Sequence, residues 1–168
     1  MACSIQLSLR ASLYCAALVV VCEEELPEGF FGTVRFLWFP PVYLMRLRDR
    51  GDMGTFWHEV WHVRVMVWSK HEDKKSDILR LCRTCRTIVD KDPMLSALFR
   101  DVYERPGIDT ADEAVIRLME RQDLQALLPK ADRDLLARLQ RPAWMEMKTW
   151  WFRWLLIAAF IYWVGVSV

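Results

Sequence analysis

The chain has 168 residues, 23 of them basic and 22 acidic, for a net charge of +1. That length suits one domain of moderate size, and the near-neutral balance excludes the basic footprint of a nucleic-acid-binding protein. Five cysteines at no familiar extracellular spacing argue against a disulfide framework, and nine tryptophans concentrate between Trp38 and Trp68 and in the tail.

Residues 1–22 contain no acid and one arginine, and run apolar from Ala11 to Cys22. Val20, Val21 and Cys22 followed by three glutamates fit poorly with a secretory cleavage site, so a membrane-associated N-terminus is expected. Residues 30–45 are aromatic and apolar but are interrupted by Arg35 and by Pro40-Pro41. Two prolines remove two N–H donors and push the residue before them out of the helical region, which predicts an irregular interfacial segment. Arg46, Arg48 and Arg50 follow, placed to meet anionic headgroups or a partner.

His58-Glu59-Val60-Trp61-His62 is an H-E-x-x-H string. On a helix it sets two imidazoles one turn apart with a carboxylate beside them. In this it resembles the zincin metalloproteases, and the resemblance implies His58 and His62 as zinc ligands and Glu59 as the residue that activates water. It covers these five residues. The extended metzincin pattern is not continued, because Val65 and Trp68 stand at the positions of its glycine and later histidine, and His71 lies in a charged stretch.

A second reading adds Cys82-Arg83-Thr84-Cys85. If residues 55–69 and 76–90 form an antiparallel helical hairpin turning through 70–75, His58 comes level with Cys85 and His62 with Cys82. Two ligands from each arm would make a closed structural zinc site. Against it stands a metal-free reading, in which Cys82 and Cys85 are small buried hydrophobes on the apolar face of their helix. The alternation of Val63, Val65 and Val67 also leaves a strand open for the histidine segment. No other cofactor is expected.

From Ser76 the helical period is clear. Ile78, Leu81, Cys82, Cys85, Ile88 and Val89 share a face, and Asp92-Pro93 supplies a cap and first turn before Leu95, Leu98, Phe99 and Val102. Pro106-Gly107 breaks the run, Thr110 with Glu113 reads as a capping box, and Leu135, Leu136 and Leu139 continue the pattern. The pairs Glu113 with Arg117 and Arg117 with Arg121 read as a solvated face.

Residues 149–168, TWWFRWLLIAAFIYWVGVSV, are apolar enough for a membrane anchor. A helix opened by Pro142 and running to the end would be about 39 Å long at about 1.5 Å per residue. Trp150, Trp151, Arg153 and Trp154 supply an entry belt and Trp163 a far one, and flanking basic residues place the bulk of the chain on the cytosolic or matrix side.

The expected fold is therefore all-α. A membrane-associated segment over 1–50, a helical soluble module over 51–141 and a transmembrane helix over 142–168 would make it up. The expected role is a non-catalytic, single-span accessory subunit of a multi-subunit membrane complex, such as a respiratory-chain or ATP synthase complex of the mitochondrial inner membrane, with the module on the matrix side. Its partners would be other membrane-protein subunits and lipid, with no nucleic acid and no small-molecule substrate. A membrane-anchored H-E-x-x-H zinc metallopeptidase and a tail-anchored adaptor are the alternatives.

Overall fold

A computed structural model describes residues 5–28, 30–38, 41–103, 112–145 and 158. It corrects the all-α expectation, because the N-terminal third folds into a four-stranded mixed sheet. The strands are β1 (Ile5–Leu7), β2 (Val19–Glu23), β3 (Gly32–Leu37) and β4 (Val42–Leu47), in the order β1-β2-β4-β3. β2 and β4 are parallel, with Val20 opposite Leu44, and the outer strands pair antiparallel. A parallel central strand is buried on both faces and reads in sequence as an unbroken apolar run, which is how β2 resembled a membrane segment.

The apolar run of residues 11–22 is in fact divided. Helix α1 (Leu9–Cys15) ends at Ala16, whose left-handed φ of 53° turns the chain into β2. The segment expected to be irregular is likewise the hairpin β3–β4, with Phe36 opposite Tyr43 and Pro41 in the connecting turn. Pro41 is harmless there, because a turn asks for no ladder donor.

Helix α2 (Met53–Ser69) follows, capped by Asp52, whose carboxylate accepts from the backbone N–H groups of Gly54 and Thr55 at 3.0 and 3.1 Å. Val63, Val65 and Val67 thus lie on a helix, and the one-turn spacing of His58 and His62 is kept. Phe56, Val60 and Val63 pack against Ala11, Cys15, Val19, Met45 and Leu47 to form the sheet-side core. Each fully buried valine contributes about 1.5–3 kcal/mol. Val65 and Trp68 face a second core, built with α3 (Glu72–Val89), α4 (Pro93–Leu98), α5 (Glu113–Glu120) and α7 (Lys130–Leu139). A π-helical turn (Phe99–Tyr103), the short α6 (Gln122–Gln125) and a 3-10 turn (Ala143–Met145) complete the described elements. Helix α2 is therefore the wall shared by both cores, and anything on its remaining face is rigidly held.

Among the described residues no helix is long and apolar enough to cross a membrane. The expected anchor residues Trp150, Trp151, Arg153, Trp154 and Trp163 lie outside the described residues.

Candidate metal centre

The free face of α2 carries His58 and His62, and the start of α5 is packed against it. Asp112 stands at the N-cap of α5 without making a capping bond. Its carboxylate goes instead to His62, with Oδ2 2.8 Å from Nδ1. The next residue, Glu113, places Oε2 3.1 Å from His62 Nε2 and 3.6 Å from His58 Nε2. The two Nε2 atoms are 3.2 Å apart, closing a triangle of donor atoms. Tetrahedral zinc at bond lengths of about 2.0–2.1 Å needs ligand atoms about 3.4 Å from one another, which these edges bracket.

The surroundings of the triangle hold each donor side chain in place. His58 Nδ1 lies 2.8 Å from Glu120 Oε1, so each ring gives one nitrogen to a carboxylate and turns the other to the common point. Such outer carboxylates fix ring orientation and raise ligand basicity. Arg117, one turn beyond Glu113, sets its Nε 2.9 Å from Glu113 Oε1 and its Nη1 2.8 Å from Glu120 Oε2. Glu113, Arg117 and Glu120 thus line one stripe of α5, and Oε2 of Glu113 is the oxygen directed at the histidines.

Electrostatics follow the geometry. Burial disfavours a charged His62, yet hydrogen bonds to Asp112 and Glu113 outweigh it and lift the ring to about 10. For His58 burial acts the same way, and Glu113 and Glu120 again prevail to raise it. Burial would raise Glu113, but the two histidines hold it far below the usual carboxylate range. Glu59 differs. Burial raises it, with the histidines opposing, so it is the carboxylate here with the stronger affinity for a proton.

No protein family, curated protein or solved structure matches this chain. The reading of the centre accordingly comes from its residues.

The sequence-predicted ligands divide. His58 and His62 converge with Glu113, whereas Cys82 and Cys85 are not among the three donors that meet. The helical reversal lies at Lys70 and His71 and α3 begins at Glu72, nearer the N-terminus than a loop over 70–75. That shift carries Cys85 into the helical core, fully buried, with its thiol pushed up to about 12 by burial. Cys82 lines the cavity beside the histidines. Cys22, on β2, is disulfide-bonded, and Cys15, Cys82 and Cys85 are free. Glu113 was the residue that sequence reasoning missed. Its signal is two adjacent acids opening a helix, Asp112-Glu113, with Glu120 two turns further on the same face.

Glu59 lies beside the triangle, under the strand β3. A Cβ on Gly32 would fall 2.6 Å from Glu59 Oε1 and 2.8 Å from Thr55 Cγ2, so only glycine permits this approach. Gly32, Thr33 and Val34 form one wall of a cavity of about 800 Å3 that also takes in Glu59, both histidines and Glu113. Beyond His62 the lining turns apolar, with Val65, Met66, Ile78 and Leu98.

Proposed function

We propose that this chain is a zinc-dependent hydrolase of peptide bonds, with His58, His62 and Glu113 as ligands and Glu59 as general base. The triangle of Nε2, Nε2 and Oε2 at 3.2, 3.1 and 3.6 Å carries the reading, because two imidazoles and one carboxylate at those separations suit an open three-ligand zinc site. A closed structural site would have a fourth protein ligand, and among the described residues this group has three. Held this way, zinc would supply Lewis acidity and would lower the pKa of a coordinated water to about 7.

The chain's own groups do the rest. Glu59, buried and raised, accepts the proton of the attacking water and returns it to the leaving amine, so that the C–N bond is exchanged for a C–O bond with one water consumed. Asp112, Glu120 and Arg117 keep the ligand atoms turned inward. Strand β3 is the edge of the sheet, and among the described residues no strand pairs with its outer side. An extended peptide can add to that edge by main-chain hydrogen bonds and lie across the cavity. Membership of a membrane complex draws on the expected anchor over 142–168 and is independent of this centre; co-purification in gentle detergent tests it.

Metal analysis and a quenched fluorescent peptide test the proposal. Full-length protein should hold one zinc per chain, and Glu59→Gln should keep the zinc while hydrolysis falls by about 100- to 10,000-fold. Absence of stoichiometric zinc, iron bound in its place without hydrolysis, or full activity in Glu59→Gln overturns it.

A further inference from the structure

The cavity does not end at the metal ligands. It continues along α2 past Met66 and Ser69 to Lys70, between that helix and β3. Gly32 sits against Thr55 and Glu59 at one end of this passage, and Phe36 meets Lys70 at the other. Two rulers measure it. His62 to Lys70 is eight helical steps, about 12 Å at about 1.5 Å each. Gly32 to Phe36 is four strand steps, about 13 Å at about 3.3 Å each.

Lys70 is held in an unusual way. Its Nζ lies 2.8 Å from the ring centre of Phe36, 4.9 Å from that of Tyr43 and 5.6 Å from that of Trp38. Aromatic faces attract a cation but give its hydrogens no oxygen to bind. No carboxylate among the described residues pairs with it, although Lys130, also exposed, has Asp134 at 2.9 Å. Desolvation accordingly lowers its pKa. The passage thus has an acidic end with the candidate metal centre and a cationic end whose head group is positioned and has no anion among the described residues.

We propose that Lys70 is a specificity residue that binds a carboxylate of the substrate about 12 Å from the metal ligands, roughly four extended residues from the bond to be cut. The inference rests on the peptide-hydrolase reading of the centre. The carboxylate comes from a chain terminus or from an Asp or Glu side chain, and both present the same acceptor. Between the two ends, the apolar wall of Val65, Met66 and Leu98 accommodates uncharged side chains.

Binding is measured first, by fluorescence anisotropy, with zinc-loaded full-length Glu59→Gln. Three fluorescein-labelled Ala-Leu peptides serve as probes: one with a free terminal carboxylate, one ending in an amide, and one ending in an amide with an internal Glu. At least one carboxylate peptide should bind tenfold or more tightly than the neutral one, and the free-terminus and internal-Glu arms identify the source. Adding Lys70→Met should bring the ratio to about one, and Lys70→Arg should keep most of it. The preference should shrink in high salt, because the ammonium is exposed. Equal binding of all three peptides, or a preference that survives Lys70→Met, overturns the proposal. In wild-type protein the same preference should appear in KM. A binding preference without any turnover would remove the hydrolase reading and leave the assignment of Lys70 standing.

Discussion

Glu113 Oε2 lies 3.1 Å from His62 Nε2, although the two residues are 51 positions apart. Asp112 reaches the other nitrogen of the same ring at 2.8 Å. Two consecutive acids at the start of one helix therefore hold one imidazole from both sides, one as a member of the donor triangle and one as its support. Asp112→Asn keeps an acceptor oxygen but removes the charge that favours a basic ring. Zinc affinity should fall by about 10- to 100-fold, the range for outer carboxylates, with the circular dichroism spectrum unchanged. A competition titration against a chromophoric chelator measures it, and unaltered affinity would show that Asp112 only stabilises the metal-free fold.

The pH dependence has a defined sign. In metal-free protein His62 is raised from 6.5 to about 10, so its bonds to Asp112 and Glu113 stabilise the fold fully below pH 6.5 and that contribution is lost as pH rises toward 10. Hydrogen bonding of the protonated ring to Asp112 and Glu113 thus opposes metal binding, because zinc needs the neutral imidazole. Between about pH 6.5 and 8, before thiols of the unfolded chain ionise, the Tm of chelator-treated protein should fall. Over the same range the rise in Tm caused by added zinc should grow, and His62→Ala should flatten both trends. Differential scanning fluorimetry across that range, with and without zinc, tests the pair.

Gly32 and Glu59 offer a separate handle on catalysis. The methyl of Gly32→Ala would meet Glu59 Oε1 at 2.6 Å and Cγ at 2.7 Å, so the carboxylate would have to move. Displacing a reacting group by about 1 Å costs about 100-fold in rate. Peptide hydrolysis should drop by that order while zinc affinity stays put, since the methyl's nearest contacts are with Glu59 and Thr55. Loss of zinc in this variant would mean that β3 supports the ligands themselves.

The helical half was legible wherever chain signals act locally. Asp92 accepts from Leu95 N–H at 2.9 Å ahead of Pro93, as its sequence promised, and Leu135, Leu136 and Leu139 are buried in α7. His58 and His62 could be placed on one helix face from spacing alone. The sheet was hidden for a physical reason: Val19 to Cys22 is a short apolar run that periodicity cannot tell from a helix or a membrane segment, and it becomes a strand by pairing with β4, which is distant in sequence. Glu113 was hidden similarly. An acid four residues before an arginine is ordinarily a solvated pair, and its 5 % exposure follows from tertiary packing against α2.

The cysteines separate the two possible ligand sets. Cys85 is fully buried among Leu81, Ile88 and the helices around them, and a thiol held near 12 is a poor source of the thiolate that zinc needs. Cys82 faces the cavity but stands outside the group of donor atoms that meet. Cys82→Ser should therefore retain one zinc per chain, and Cys85→Ala should do so while losing about 1 kcal/mol of stability from the core. Glu113→Ala should lose the metal, because it removes one of three ligands and leaves two imidazoles alone. Atomic emission analysis of the three variants after gel filtration decides between the sets. Zinc kept by Glu113→Ala and lost from Cys82→Ser would assign the ion to His58, His62, Cys82 and Cys85, a structural site, and would take away the open position that hydrolysis needs.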